Sequence, residues 1–151
     1  MNVIRGDLIQ LACEGVFDVV VHGCNCQCVM GAGIAKAIRA AFPAAWQADQ
    51  ATRKGDRSKL GTFSFAAIRT GAHSVMIVNA YTQFHWRGRP PLVDYDALAA
   101  AFAGIRTRFP GLRIGYPRIG AGLAGGDWQT IAAILDRVLA GEHHTLVEYG
   151  G

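Results

Sequence analysis

The chain has 151 residues, a length that fits one domain with its own hydrophobic core. Hydrophobic residues make up 51% and charged residues 17%, which excludes a disordered tail, and the net charge of +4 favours anionic partners. No apolar run approaches the roughly 20 residues of a membrane helix, and the N-terminus lacks the charged start and apolar run of a signal peptide, so we expect a cytoplasmic protein without a membrane partner.

Strand and helix patterns alternate along the chain. Residues 18–22, Asp-Val-Val-Val-His, are typical of a strand buried on both faces. The Ala-rich residues 34–42 predict a helix that Pro43 interrupts or ends. Asp94 precedes a strong helix pattern that stops at Pro110 and can cap its first turn. The remaining predictions are a helical stretch at 46–52, strands at 62–68, 74–80, 112–116 and 145–149, and a helix that begins after Asp127 and ends near Gly141.

This alternation predicts a layered α/β fold with a largely parallel or mixed sheet, in one domain that spans residues 1–151. No internal repeat and no linker divides the chain. The basic residues are scattered, so the positive charge alone does not indicate a nucleic-acid surface. The densest basic stretch, residues 53–59, carries its own Asp56, and we expect a solvated loop there.

Two glycine-rich loops, residues 23–33 and 117–126, each lie between a predicted strand and a predicted helix. Glycine lets the backbone approach a ligand, and the start of a helix offers free N–H groups and a positive dipole end. Two such loops side by side can grip a diphosphate, although each loop alone also fits a tight turn. Neither is a Walker loop. The third glycine of the dinucleotide fingerprint is also missing, since Lys36 stands at its position three residues after Gly33.

The four cysteines do not indicate a disulfide or a metal centre. Cys24, Cys26 and Cys28 lie within five residues, which is too close for an ordinary disulfide framework, and Cys13 stands apart. Structural zinc needs cysteine pairs of wider spacing. We therefore expect reduced thiols, no metal and no cofactor.

Three segments, taken together and in this order, resemble the macrodomain family. Residues 3–8, Val-Ile-Arg-Gly-Asp-Leu, are similar to the macrodomain opening. Residues 22–35 resemble the Asn-containing loop of the family, and residues 117–123, Pro-Arg-Ile-Gly-Ala-Gly-Leu, its second phosphate loop. The resemblance runs from residue 3 to about residue 149. It implies a three-layer α/β/α fold with a mixed central sheet that binds ADP-ribose.

The same resemblance implies a role for particular residues. Asp7, next to Leu8, would accept a hydrogen bond from the adenine amino group, and Asn25 would face the distal ribose. Gln83 and Tyr149 complete the expected ligand site. The residue type alone allows Tyr149 to stack on a ring of the ligand, and the alternative for Tyr149 is a place in the core. The expected diphosphate contacts come from two stretches of loop backbone, Gly31, Ala32, Gly33 and Ile34 in the first loop and Gly120, Ala121, Gly122 and Leu123 in the second.

Two neighbouring macrodomain branches are similar in detail to this chain. One is the ADP-ribose-1″-phosphate phosphatase-like branch, and the other contains terminal ADP-ribose and DNA ADP-ribose glycohydrolases. The chain departs from the second branch, because Gln83 stands where those enzymes carry a catalytic lysine and Ala124 where some carry an acid. Glutamine cannot form a Schiff base and does not titrate, so we do not expect the lysine mechanism.

Several functions therefore remain open. The first is metal-independent removal of phosphate from ADP-ribose-1″-phosphate by a water that Asn25 orders, with His22 as a possible acid or base; the alternative for His22 is a structural role. The second is a non-catalytic reader of ADP-ribose on a protein or nucleic acid. An ADP-ribosyl glycohydrolase and a nucleotide-binding enzyme of another family are further alternatives, and the sequence carries no signal of oligomeric state.

Overall fold

The computed structural model describes residues 1–150 and places six strands in one mixed sheet. The strands are β1 (Asn2–Gly6), β2 (Val19–Asn25), β3 (Phe63–Thr70), β4 (His73–Gln83), β5 (Ile114–Tyr116) and β6 (His144–Tyr149). The helices are α1 (Leu8–Cys13), α2 (Gly33–Ala41), α3 (Pro43–Gln50), α4 (Tyr95–Arg108) and α5 (Trp128–Val138), with a 3-10 turn at Arg57–Lys59. The order across the sheet is β1-β6-β5-β2-β4-β3, and only β3 runs antiparallel to its neighbour.

Helices cover both faces of the sheet. On β2, Val19 and Val21 join the core beneath α4 and α5, whereas Val20 joins the core beneath α1, α2 and α3. An extended strand produces this alternation because successive side chains point to opposite faces. The three-layer α/β/α architecture with a mixed sheet is therefore confirmed. Within residues 1–150, no helix is long and apolar enough to span a bilayer.

Most predicted elements are present with shifted ends. Asp94 caps α4 as expected, accepting a hydrogen bond from the Ala97 N–H at 2.9 Å. Pro43 ends α2 and also begins α3, since the first turn of a helix does not need the N–H that proline lacks. The predicted strand at 112–116 begins only at Ile114. The sequence patterns did not predict β1 or α1.

The fold brings the ends of neighbouring parallel strands to one edge of the sheet. β2 ends at Asn25 and β4 at Gln83, and these two residues are partners in the strand pairing. The loop after β2 leads into α2, and the loop after β5 leads into α5. In open α/β sheets, ligands bind beyond the carboxyl ends of the strands, so the sheet presents the two glycine loops where a ligand is expected.

Candidate functional site

Two adjoining cavities lie at the carboxyl ends of the parallel strands. The first, here called the loop cavity, measures about 450 Å³ and is walled by the two glycine loops together with Asn25 and Gln83. The second, the edge cavity, measures about 800 Å³ and is walled by residues of β1, α1 and the end of β6. Both volumes are typical of small-molecule sites. The cavities share Gly33, Ile34, Pro117 and Arg118, so together they form one long cleft.

The N-terminus of α2 faces this cleft without a side-chain cap. An aspartate caps each of three other helices, namely Asp7 on α1, Asp94 on α4 and Asp127 on α5. The corresponding residue of α2 is Ala32, which has no side chain to accept the first N–H groups, and no acidic residue lies in the first turn. These N–H groups and the positive helix end are therefore open to an anion in the cleft.

The second glycine loop needs glycine for its shape at some positions, such as Gly120, and not at Gly122. Gly120 has a φ of +77°, and a Cβ there would lie 2.8 Å from Val93 Cγ2. A Cβ on Gly122 would meet nothing within 4 Å. Gly122 also lines the loop cavity, so added bulk there enters space that a ligand would use. Of the eight predicted diphosphate contacts, all but Ala121 line the loop cavity.

Asn25 lies in the wall of the loop cavity with a 7% exposed side chain. Its Nδ2 donates to the Val29 carbonyl at 2.8 Å, and its Oδ1 accepts from the Gln27 N–H at 2.9 Å. The amide thus closes the turn that begins the first glycine loop. One N–H of Nδ2 is left over, which gives Asn25 a donor for a ligand or a water.

His22 does not line either cavity. The side chain is fully buried beneath the loop, and its Nε2 lies 2.6 Å from Asn79 Oδ1. Asn79 uses its own Nδ2 to donate to the Ala45 carbonyl, so its Oδ1 accepts from a neutral imidazole. Burial lowers the pKa of His22 to about 4. His22 and Asn25 therefore lie in different surroundings, although both belong to β2: His22 is buried beneath the loop, and Asn25 lines the loop cavity.

The remaining predicted site residues divide between the two cavities. Gln83 lines the loop cavity and donates from Nε2 to the His85 carbonyl at 2.9 Å. Asp7, Leu8 and Tyr149 line the edge cavity. Asp7 Oδ1 accepts from the backbone N–H groups of α1. Leu8 is buried, whereas Tyr149 is 80% exposed at the rim of the edge cavity.

The sequence patterns did not predict a buried polar network that lies beneath the first glycine loop. Lys59, in the stretch expected to be a solvated loop, is only 7% exposed. Its Nζ donates to the Cys26 carbonyl at 3.1 Å and lies over the Tyr81 ring. The Tyr81 hydroxyl donates to Asp49 Oδ1 at 2.7 Å, while burial raises the pKa of Asp49. The expectation of a solvated loop was wrong for Lys59, because its chain folds back under the first loop.

Charge is sparse in the loop cavity. Among the described residues that line the loop cavity, Arg118 alone carries a charge. Its Nη2 donates to Glu148 Oε1 at 2.5 Å, and the guanidinium holds the pKa of Glu148 below its usual range. Trp86, 45% exposed, also lines the loop cavity and was not among the predicted site residues. In residues 1–150, no three His, Cys, Asp or Glu side chains are placed to hold a metal ion.

The sequence is similar to a known family and to a phage protein. A family model described as "Macro domain" matches residues 21–135. An uncharacterized 17.5 kDa protein from the tk-vs intergenic region of Enterobacteria phage T4 is 36% identical over 138 residues, which cover 88% of this chain and 86% of that protein.

Two solved structures show the same architecture. The macrodomain of Mycobacterium tuberculosis DarG is 19% identical with a TM-score of 0.73, and the match covers 99% of this chain and 97% of that one. Thermosipho africanus DarTG in complex with ADP-ribose is 16% identical with a TM-score of 0.76, over 98% of this chain and 42% of that one. At these identities the likeness shows a shared fold.

Proposed function

The chain belongs to the macro domain family, and we propose that its cleft binds ADP-ribose and removes the phosphate from ADP-ribose-1″-phosphate. The observation that carries the binding proposal is the meeting of the two cavities at Gly33 and Arg118. ADP-ribose carries a diphosphate between two ribosyl groups, so it can lie along the cleft with the diphosphate at the junction and one ribosyl group in each cavity. The complex of Thermosipho africanus DarTG with ADP-ribose, on the same fold, supports the choice of ligand.

The proposed orientation follows from the chemistry of the two cavities. The uncapped end of α2 lies where they meet, and it receives the diphosphate. The edge cavity offers Asp7 as an acceptor for the adenine amino group and exposed Tyr149 as a ring for stacking. The loop cavity then holds the distal ribose beside Asn25 and Gln83.

The proposed reaction is hydrolysis of a phosphate monoester. A water attacks the phosphorus, the bond between phosphorus and the oxygen on C1″ breaks, and the products are ADP-ribose and inorganic phosphate. Asn25 supports this step because its remaining Nδ2 N–H can orient a group in the loop cavity. His22 supports it only through β2, since it is neutral near pH 7 and buried away from the cavity. Its proposed role is thus to fix the strand that carries Asn25.

A non-catalytic ADP-ribose reader is the second candidate. It is favoured by one observation, namely that the described wall of the loop cavity contains no acid, histidine or lysine. A reader needs only the binding contacts, and it would recognise ADP-ribose attached to a protein or a nucleic acid. Four free thiols support a reducing compartment for either function, and we propose the cytoplasm.

A lysine-dependent glycohydrolase has less support. Gln83 and Ala124, which replace the expected lysine and acid, both line the loop cavity. The uncharged amide of Gln83 is tied to the His85 carbonyl. Borohydride treatment during incubation with an ADP-ribosylated substrate should therefore trap no covalent sugar–protein adduct, and such an adduct in the wild type would overturn the proposal.

Turnover by Asn25→Ala separates the phosphatase from the reader. In the proposed phosphatase, the substitution lowers kcat for release of inorganic phosphate far more than it weakens ADP-ribose binding, because a group that orders the attacking water acts mainly in the transition state. Loss of kcat and affinity in equal measure would make Asn25 a binding residue only. Binding of ADP-ribose with no phosphate release by the wild type would favour the reader.

A further inference from the structure

Arg118 stands at the point where the two cavities meet. Among residues 1–150 it is the one charged residue that lines both cavities, together with Gly33, Ile34 and Pro117. Arg118 belongs to the second glycine loop, the uncapped N-terminus of α2 follows the first, and residues of both loops line the place where the cavities meet. The first loop therefore brings backbone N–H groups to the junction, and the second loop brings a positively charged residue.

The Arg118 guanidinium is held by a partner that it can leave. Glu148 Oε1 accepts from Nη2 at 2.5 Å, and the two side chains are 54% and 30% exposed. Ion pairs of this exposure contribute little to stability, because water and salt screen them. The Arg118 guanidinium also lies over the Trp128 ring, 5.6 Å from its centre.

We propose that Arg118 is a specificity-determining residue that exchanges Glu148 for the diphosphate of the bound ligand. This inference rests on the proposed binding of ADP-ribose. A planar guanidinium suits two phosphate oxygens at once, which the loop backbone alone does not offer from this wall. Glu148 keeps the guanidinium near the junction when the cleft is empty, and the ligand draws it inward.

The structure provides a matched control for this proposal. Arg113 is also 54% exposed, and its Nη2 donates to Asp18 Oδ1 at 2.9 Å with Asp18 32% exposed. Arg113 lines neither cavity. Substitution of either arginine by methionine removes a surface ion pair of the same exposure, and only Arg118→Met removes a charge from the cleft.

Calorimetric titration with ADP-ribose and with AMP tests the proposal. Arg118→Met should weaken ADP-ribose binding roughly tenfold or more, the scale of one lost charge-assisted contact, and AMP binding much less. Arg118→Lys should recover only part of the loss, since lysine lacks the planar fork. Arg113→Met should leave both affinities unchanged. The ADP-ribose affinity of the wild type should fall with added salt more steeply than that of Arg118→Met.

Glu148→Gln tests the exchange itself. It should tighten ADP-ribose binding several-fold, because the guanidinium no longer leaves a carboxylate. Weakening as large as that of Arg118→Met would overturn the exchange, since the intact pair would then be what the ligand needs. If the wild type binds ADP-ribose and Arg118→Met binds it equally, the Arg118 proposal fails alone. If the wild type does not bind ADP-ribose at all, the proposed function fails.

Discussion

Leu123 of the second glycine loop overhangs Gly33 of the first, so near that a Cβ on Gly33 would lie 3.3 Å from Leu123 Cδ1. Leu123 is nonetheless 76% exposed, because its other side faces the open cleft. The two loops thus touch across the junction of the cavities. A ligand that fills the cleft would bury this exposed leucine side chain.

Leu123→Ala should therefore weaken ADP-ribose binding by about 1 kcal/mol, which is the free energy expected from burying the part of the leucine side chain that the ligand would cover. Leu112→Ala is the control, because Leu112 is also exposed and lines neither cavity. Calorimetry compares the two variants with the wild type. Equal affinities for Leu123→Ala and the wild type would remove Leu123 from the ligand site.

Gly122→Val should abolish binding and keep the fold, because a Cβ at Gly122 meets no protein atom within 4 Å and enters the loop cavity. Gly33→Val should abolish binding and also lower the unfolding temperature, since the φ of +59° disfavours a β-branched residue. Thermal unfolding and calorimetry separate the two effects. Wild-type affinity in both variants would contradict the loop assignment.

Asp7→Ala should weaken ADP-ribose binding by about 1–3 kcal/mol, as expected when a polar partner is lost, and should reduce discrimination against the hypoxanthine analogue. Asp7 also caps α1, so stability falls as well. Asp127→Ala is the matched control, since Asp127 caps α5 and lines neither cavity. It should lose stability and keep affinity. Unchanged discrimination in Asp7→Ala would place the adenine elsewhere.

The buried His22 should make the free energy of unfolding fall at acid pH. Burial lowers its pKa from 6.5 to about 4, so between these values the unfolded chain binds a proton there and the folded chain does not. The free energy of unfolding therefore falls as the pH drops through this window, by roughly 3 kcal/mol from this residue. Burial also lowers the pKa of His144, so the wild type carries a second contribution of the same sign.

His22→Gln isolates the term, because glutamine can donate to Asn79 Oδ1 and does not titrate. Urea unfolding at pH 7 and pH 5 should show a smaller pH dependence in this variant than in the wild type. The same pH dependence in both proteins would mean that His22 titrates normally in the folded chain.

Lys59→Met should destabilise the chain by about 2 kcal/mol, because the Cys26 carbonyl loses a charged donor in buried surroundings. It should also weaken ADP-ribose binding, since Cys26 lies in the turn that positions Asn25. Lys54→Met, on the same loop and exposed, should change neither quantity. Denaturant unfolding and calorimetry check both. A Lys59→Met protein as stable as Lys54→Met would contradict the claim that the hydrogen bond from Lys59 to the Cys26 carbonyl stabilises the first glycine loop.

The central part of the fold could be predicted from the sequence, because its elements carry strong local signals. The run at residues 18–22 lies in β2, and Asp94 and Asp127 cap the helices that follow them. The edge strand β1 was missed because the four side chains before Gly6 are all exposed and the sequence there shows no apolar alternation. The six residues of α1 make fewer than two helical turns, which is too short for a repeated apolar pattern.

The candidate site was only partly predictable for a similar reason. Loop residues such as Gly33 and Gly122 have local signatures, and both line the cleft. Lys59 has none, because its burial depends on how residues 53–59 fold back against Cys26, Asp49 and Tyr81. His22 shows the opposite case, since its residue type indicated chemistry while its burial and its bond to Asn79 are set by β4 and α3.

The most direct test of the account is titration of the unmodified 151-residue chain with ADP-ribose and, separately, with AMP. The account predicts one ADP-ribose per chain, bound at least roughly tenfold more tightly than AMP, because the diphosphate and distal ribose add contacts at α2 and in the loop cavity. Equal affinities for the two ligands, or no binding of ADP-ribose, would contradict the assignment of the cleft.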